Sequence, residues 1–436
     1  MGASASGAQP TVWTAADADA TEHKTVFSSL APSTAYALSL YAVDSWGRQE
    51  STGLQVATPP ATAPPTAQAS GGSFLVDGQP FFPIALWALC AGEVDTKLAE
   101  GVNLFMTNGC GDDQALVDEV AGRALTVVDP KTASEGGGGV VGWNYPDELD
   151  NWLPSDATPA MVEAAAPSAP APLLSFLTLT NHFYSYAAPL PQGRGMYPLL
   201  AQSADVLGFD LYPMQVWCNA DAFAHVYDAQ RELVQLAAGK PTYQWIEAAP
   251  MEHCPQPELA PTAETVRAET WLAIAGGATA IGYFPNGWTE EIDREIARTD
   301  RQIRELAPAL IAPQTAATSD QPAIRLSARS LNGAVYVVAV NSSRALVPAA
   351  INVPELFAGQ VGVYDEHRDV PVTNGTFSDV FAPLQVHVYI AGPQLAQPAA
   401  AAPAPVAPSA YDRFESPQAP AVAAEPVLPD FGPLLP

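Results

Sequence analysis

Three runs near the middle of the chain decide its fold: Val206-Leu207-Gly208-Phe209-Asp210-Leu211-Tyr212, Lys240-Pro241-Thr242-Tyr243-Gln244-Trp245-Ile246-Glu247 and Ala278-Thr279-Ala280-Ile281-Gly282-Tyr283-Phe284. Each is an apolar stretch of strand length, and helical patterns separate them. Between the first two, Phe223, Val226, Tyr227, Leu233 and Val234 line one helix face. Between the second and third, Thr262 after Pro261 marks a helix N-cap and Gly276-Gly277 the end of that helix. After the third, Ile292, Ile296, Ile303 and Leu306 recur at spacings of 4, 7 and 3, the apolar stripe of another helix. The alternation extends toward the N-terminus, with strands expected at Phe81–Trp87, Val102–Thr107, Ala124–Val128, Val140–Trp143 and Leu173–Leu179. Eight strands alternating with helices across residues 72–312 predict an α/β fold, a (β/α)8 barrel. The Gly-rich stretch Lys131–Gly139 is too short for a full third helix, so the barrel is expected to be trimmed there.

On either side the texture changes. Residues 59–71 are a Pro/Ala/Thr run and read as a stiff linker, and residues 394–436 are an Ala/Pro-rich tail with no periodicity to dock by. Residues 313–393 return to strands, at Ala323–Leu326, Ala334–Asn341, Gln360–Tyr364 and Leu384–Ile390, with turns at Asn332-Gly333 and Asn374-Gly375. They predict an antiparallel β-sandwich of seven or eight strands. In residues 1–58, strands are expected at Thr25–Phe27, Tyr36–Val43 and Leu54–Ala57. Leu30-Ala31-Pro32-Ser33-Thr34-Ala35-Tyr36 followed by Ala42-Val43-Asp44 resembles the second half of a fibronectin type III domain, where a Tyr closes the sandwich corner. Fifty-eight residues are too few for all seven strands, so this end reads as a partial spacer or docking module.

Composition narrows the function. Against 46 acidic residues stand 18 basic ones, a net charge of −28, which excludes nucleic acid and anionic membranes as partners and favours a neutral ligand. No apolar run approaches the roughly 18 residues of a membrane span. The start Met1-Gly2-Ala3-Ser4 is not followed by a basic and then an apolar segment, so no signal peptide is expected there. Six scattered histidines form no HExxH or close pair, there is no GxSxG elbow, and Gly136–Gly139 lacks the Lys and Ser/Thr of a phosphate loop. Neither a metal nor a cofactor is expected. Four cysteines, Cys90, Cys110, Cys218 and Cys254, allow three pairings.

A barrel keeps its function at the C-terminal ends of its strands. The residues placed there are Trp87, Asn108, Asp129, Trp143, Asn144, Asp147, Glu148, Asn181, His182, Asp210, Tyr212, Gln244, Trp245, Glu247, Tyr283, Asn286 and Trp288. Aromatic faces stack on the C–H faces of sugar rings, while amides and carboxylates bind hydroxyls, so the set predicts a carbohydrate cleft. Gly72-Ser73-Phe74-Leu75-Val76-Asp77-Gly78-Gln79-Pro80-Phe81-Phe82-Pro83-Ile84 resembles the segment that leads into the barrel of many glycoside hydrolases. Gly142-Trp143-Asn144-Tyr145-Pro146-Asp147-Glu148 is similar to the fourth-strand motif of the (β/α)8 clan of retaining glycosidases. Lys240–Glu247, and Ala268–Ala278 with Ile281–Phe284, resemble that clan's seventh strand and the helix and eighth strand after it.

The resemblance implies a retaining glycoside hydrolase acting on a polysaccharide or oligosaccharide, with Glu148 as acid/base and Glu247 as nucleophile. Asp147 stands where the clan keeps an Asn for the sugar 2-hydroxyl. Asp210 and Glu252 are the alternative carboxylates, and the alternative function is a non-catalytic carbohydrate-binding or scaffold protein. Cys90 and Cys110 follow strands one and two, and Cys218 and Cys254 follow strands six and seven. Neighbouring loops therefore predict the pairs Cys90–Cys110 and Cys218–Cys254, and with them export to an oxidising compartment.

Overall fold

A computed structural model of the protein describes residues 2–5, 11–12, 35–43, 49–57 and 65–392, apart from 155, 255 and 357. Eight parallel strands close a barrel in sequence order: β1 (Ile84–Leu89), β2 (Leu104–Asn108), β3 (Leu125–Val128), β4 (Val140–Asn144), β5 (Leu174–Thr180), β6 (Val206–Asp210), β7 (Thr242–Glu247) and β8 (Ala280–Phe284). Closure is by β8 on β1, with Ile281 opposite Ile84 and Tyr283 opposite Leu86. The helices are α1 (Val94–Glu100), α2 (Asp113–Val120), α3 (Pro130–Glu135), α4 (Pro159–Ala165), α5 (Tyr197–Ser203), α6 (Ala224–Ala237), α7 (Ala263–Gly276) and α8 (Glu290–Leu310). The third is six residues long, as the glycines demand: Gly136, at φ 74°, ends it.

Large aromatic rings fill the barrel. Tyr243 and Trp245 point inward, and each lies over a glycine of a neighbouring strand. A Cβ on Gly208 would sit 1.9 Å from the Tyr243 ring, and one on Gly282 2.1 Å from the Trp245 ring. The N-terminal end is plugged by Phe74, fully buried, whose ring centroid is 6.1 Å from that of Phe176. Phe74 stands in an antiparallel three-stranded sheet of Ala67–Ser70, Ser73–Val76 and Gln79–Phe81. The last residues of the expected linker are thus a strand, because Ala67–Ser70 satisfies its backbone groups on Ser73–Val76.

Helix α7 shows how pattern becomes position. It is apolar on nearly every face, and such a helix must be covered on every face. The barrel covers one side and the C-terminal β domain the other, where Arg329 donates to the Ile274 carbonyl at 3.3 Å. Thr262 caps it, accepting from Thr265 N, and Gly277 ends it at φ 107°. On α6 the buried face is Val226, Tyr227, Ala229, Gln230, Leu233 and Ala237, whereas Val234, expected there, is exposed.

The C-terminal domain is antiparallel β, as expected, and its nine strands are hydrogen-bonded in one continuous order. The sheet curls round one core that includes Ile324, Val337, Ile351, Val363, Phe377 and Tyr389. In the N-terminal region, Thr11–Val12, Gly2–Ala5, Ala35–Val43 and Gln49–Ala57 make an antiparallel sheet in that order. The strand expected at Thr25–Phe27 and the tail from 394 lie outside the described residues.

Both expected disulfides are present, Cys90–Cys110 with Cα atoms 5.0 Å apart and Cys218–Cys254 at 5.5 Å. They close loops of 20 and 36 residues on the barrel's C-terminal face. Loops of that size restrain the unfolded chain by about 3–4 kcal/mol each. Chemical denaturation with and without reductant is therefore expected to show a lower midpoint on reduction. Equal midpoints would mean that neither bridge contributes to stability.

Candidate active site

The chain leaves β4 through Asn144 and Tyr145, and the residues that follow build one wall of a cleft of about 450 Å³. Trp87, Thr107, Asp129, Asn144, Pro146 and Asp147 line it. Tyr145 is buried and donates to the Pro167 carbonyl at 2.6 Å, which holds the turn down. Glu148 follows in left-handed conformation, φ 49°, and its Oε2 accepts from Asn151 Nδ2 at 2.7 Å. Beneath it Asp150 is fully buried, accepting from Thr180 N at 3.0 Å, the Thr180 hydroxyl and the Tyr197 hydroxyl at 2.9 Å. That set of donors pins the β4 loop to β5 and α5.

At the end of β6, Asp210 lies within reach of the Glu148 charge. Burial, then the Glu148 charge, raises its carboxyl well above the usual carboxylate range. Its Oδ1 is buried without a hydrogen-bond partner among the described residues. Asp147 is pushed up to about 6, by desolvation first and the Glu148 charge second. Tyr212, two residues beyond Asp210, lies against the same charges and is raised likewise by burial and by Asp210.

Glu247 ends β7 with no exposed surface. Its Oε1 accepts from Met214 N at 2.9 Å and its Oε2 from Gln215 N at 2.8 Å, both in the loop after β6. Burial lifts it to about 7, while a hydrogen bond from Glu269 and the two amides pull the other way. Glu269, on α7, is fully buried, and burial and the Glu247 charge put it well above the carboxylate range. The Glu247 backbone N–H donates to Glu269 Oε2 at 3.3 Å, which sets the two residues against each other. A signal for Glu269 was in the sequence, since it is the single charge between Ala268 and Trp288 in an otherwise uncharged run.

The structure gathers Trp87, Asn144, Asp147, Glu148, Asp210 and Tyr212 round the mouth, with Glu247 sealed below them. It places others elsewhere. Trp143 packs with Val128, Ala133 and Val140 in the layer between barrel and helices. Gln244 is fully buried with both amide atoms unpartnered among the described residues, and Tyr283 donates to Asp300 on α8 at 2.7 Å. Each is one step out of phase with an inward-facing neighbour, Trp245 or Gly282, and so faces the helices. Trp245 is interior, its Nε1 bonded to Thr178 Oγ1 at 3.2 Å and its ring edge-on to Trp87 at 5.7 Å. Asn108 holds its own turn through Cys110 N and the Asp112 carbonyl, and Asn286 bonds the carbonyls of Trp87 and Ala88. Asn181 opens the short 3-10 turn Asn181–Phe183, and His182 Nδ1 meets the Ala188 carbonyl at 2.6 Å. Trp288 is covered by the Lys97 ammonium, 3.7 Å from its ring centroid. Glu252 is exposed on the loop after β7. Among the described residues there is no cluster able to hold a metal ion, and no helix is long and apolar enough to cross a membrane.

Fold and mouth together define a (β/α)8 barrel with an antiparallel β domain behind it. The fold is similar to that of an α-amylase from Geobacillus thermoleovorans solved with acarbose, at 9% identity and a TM-score of 0.50, over 72% of this chain and 99% of that one. It is also similar to that of a proposed α-galactosidase from Bacteroides fragilis, at 12% identity and a TM-score of 0.50, over 83% and 86%. No protein-family model matches the chain, and no curated protein matches it in sequence. At such identities the likeness is one of fold.

Proposed function

We propose that the chain is a retaining glycoside hydrolase that cleaves a neutral oligosaccharide or polysaccharide, with Glu148 as acid/base and Glu247 as nucleophile. The observation that carries the reading is the set of carboxyl groups after β4 and at the ends of β6 and β7, beside a cleft lined by Trp87 and Tyr145. Glycosidic cleavage needs a proton for the leaving oxygen and a negative group facing the oxocarbenium-like carbon. The amides of Met214 and Gln215 favour an ionised Glu247 and fix its orientation. Retention calls for the two carboxyl groups to stand about 5–5.5 Å apart in the sugar complex. Because Glu247 has no exposed surface, sugar reaches it only if the loop after β6 moves.

That burial favours a second assignment. Burial and the Glu148 charge raise Asp210 well above the carboxylate range, so Asp210 would be the acid and Glu148 the carboxylate facing the sugar. The two disulfides on the mouth loops favour work in an oxidising compartment, outside the cytosol. A panel of aryl glycosides and neutral polysaccharides, assayed with the wild type and Glu247→Gln, tests the reading. Turnover of at least one substrate, lost or sharply reduced in the variant, is the expected result. No turnover of any would leave a carbohydrate-binding protein on a barrel.

A further inference from the structure

We propose that the aromatic cluster on the loops after β5 and β6 is a second carbohydrate platform, one that takes sugar rings of a neutral polysaccharide outside the carboxyl cleft. The proposal rests on the carbohydrate reading above. Tyr186, in the loop after β5, is 67% exposed, an unusual state for a large ring held so firmly. It lies on the His225 imidazole with centroids 4.0 Å apart and planes 23° from parallel. Trp217, in the loop after β6, stands 6.3 Å from Tyr186 and 5.5 Å from His225. Behind them Tyr184 bonds through its hydroxyl to His225 Nδ1 at 2.9 Å.

The restraint on this loop goes well beyond what a connection between β5 and α5 requires. Arg194 donates from Nε to the His182 carbonyl at 2.8 Å, and from Nη2 to the Tyr184 carbonyl at 2.9 Å and to the Ala187 carbonyl. Ser185 N donates to Glu232 Oε2 at 2.8 Å, and the Ser185 hydroxyl to the other oxygen. Cys218, next to Trp217, ties the second loop to Cys254. An exposed aromatic that is already fixed loses little entropy when a ligand covers it, which is the physical basis of a preorganised site. Its flat face matches the C–H face of a sugar ring. With a net charge of −28 the protein repels polyanions, so the matching glycan is neutral. The platform sits on loops from the same end of the barrel as Asp210 and Glu148, where a long chain would run past the cleft.

Native affinity electrophoresis of the full chain through gels holding mixed-linkage β-glucan, arabinoxylan or galactomannan tests the proposal. Tyr186→Ala and Tyr186→Phe are run beside the wild type, with melting temperature as the check on folding. At least one polymer is expected to retard the wild type and Tyr186→Phe, while Tyr186→Ala binds about fivefold or more weakly. For that polymer the KM for cleavage should rise in Tyr186→Ala, with turnover of a short aryl glycoside unchanged. Equal retardation of Tyr186→Ala and wild type overturns the platform and leaves the hydrolase reading standing. Retardation lost in Tyr186→Ala, from a wild type that cleaves nothing, keeps the platform and removes the hydrolase. No retardation of the wild type by any polymer overturns the platform. A changed sedimentation coefficient without changed retardation would instead assign the cluster to contact between copies of the chain, and overturns it too.

Discussion

Glu247→Gln is expected to remove turnover of every glycan the enzyme accepts, whereas Glu148→Gln should spare substrates with activated leaving groups. The reasoning follows from the two duties. A nucleophile is needed whatever leaves, because no glycosyl-enzyme forms without it. A general acid matters only when the departing oxygen is a poor leaving group, and its loss there costs roughly 10²–10⁴-fold. Comparing kcat/KM on a dinitrophenyl glycoside with that on an unactivated one separates the roles. Added azide should restore the Glu148 variant on the activated substrate by attacking the intermediate that Glu148 no longer helps water to reach. If Asp210 is the acid instead, Asp210→Asn takes the leaving-group pattern, Glu148→Gln becomes the dead variant, and Glu247→Gln acts mainly on stability. Wild-type rates in all three variants would remove the carboxyl mechanism altogether.

Why the sequence led to the barrel but only to half of the mouth is a matter of period. Helix and strand alternation survives single-residue errors, since an apolar run buried on both faces reads the same in either phase. Site residues do not have that tolerance, because one step along a strand exchanges barrel interior for helix layer. Gln244 and Tyr283 stand in strands that were correctly placed, yet both face outward beside Trp245 and Gly282. Trp143 fails for a subtler reason. The pairing of β3 with β4 shifts register between Thr126 and Val127. Gly142 then faces the interior Phe176, Asn144 reaches the cleft, and Trp143 turns to the helices. A bulge of this kind leaves no mark in the residue pattern. The disulfides were legible because neighbouring strands in a barrel bring their following loops together. The Glu148–Asp210 pair was half legible: Asp210 ends an apolar run and Glu148 follows one in the loop after β4, but nothing in the spacing says which carboxyl groups interact.

The stability of the protein is expected to fall as pH rises from about 4.5 to about 7, the reverse of the usual carboxylate behaviour. Glu247 titrates near 4.5 in the unfolded chain and about 7 in the fold, so across that window the folded state binds more protons. Stability then declines with pH, is greatest where both states are protonated, and levels off once Glu247 is ionised in both. At about 1.36 kcal/mol per unit, this fully buried group accounts for a loss on the order of 3 kcal/mol. Glu100, 5% exposed and raised to about 7 mainly by burial, contributes in the same direction. Glu269 and Asp210, raised well above the carboxylate range, extend the decline beyond pH 7. Guanidinium denaturation of the wild type at pH 5, 6, 7 and 8 measures the slope, and Glu247→Gln should flatten part of it. Stability that is level or rising from pH 5 to 8 would mean that burial does not raise Glu247. Two substitutions at Glu269 then separate burial from hydrogen bonding. Glu269→Gln keeps an N–H donor for Glu247, so the Glu247 part of the curve is expected to stay where it is. Glu269→Leu takes away the donor and leaves Glu247 against an apolar wall, so it ionises at higher pH. A curve held in place by Gln and displaced to higher pH by Leu is what donation from Glu269 to Glu247 requires, and loss of packing alone would move both variants the same way.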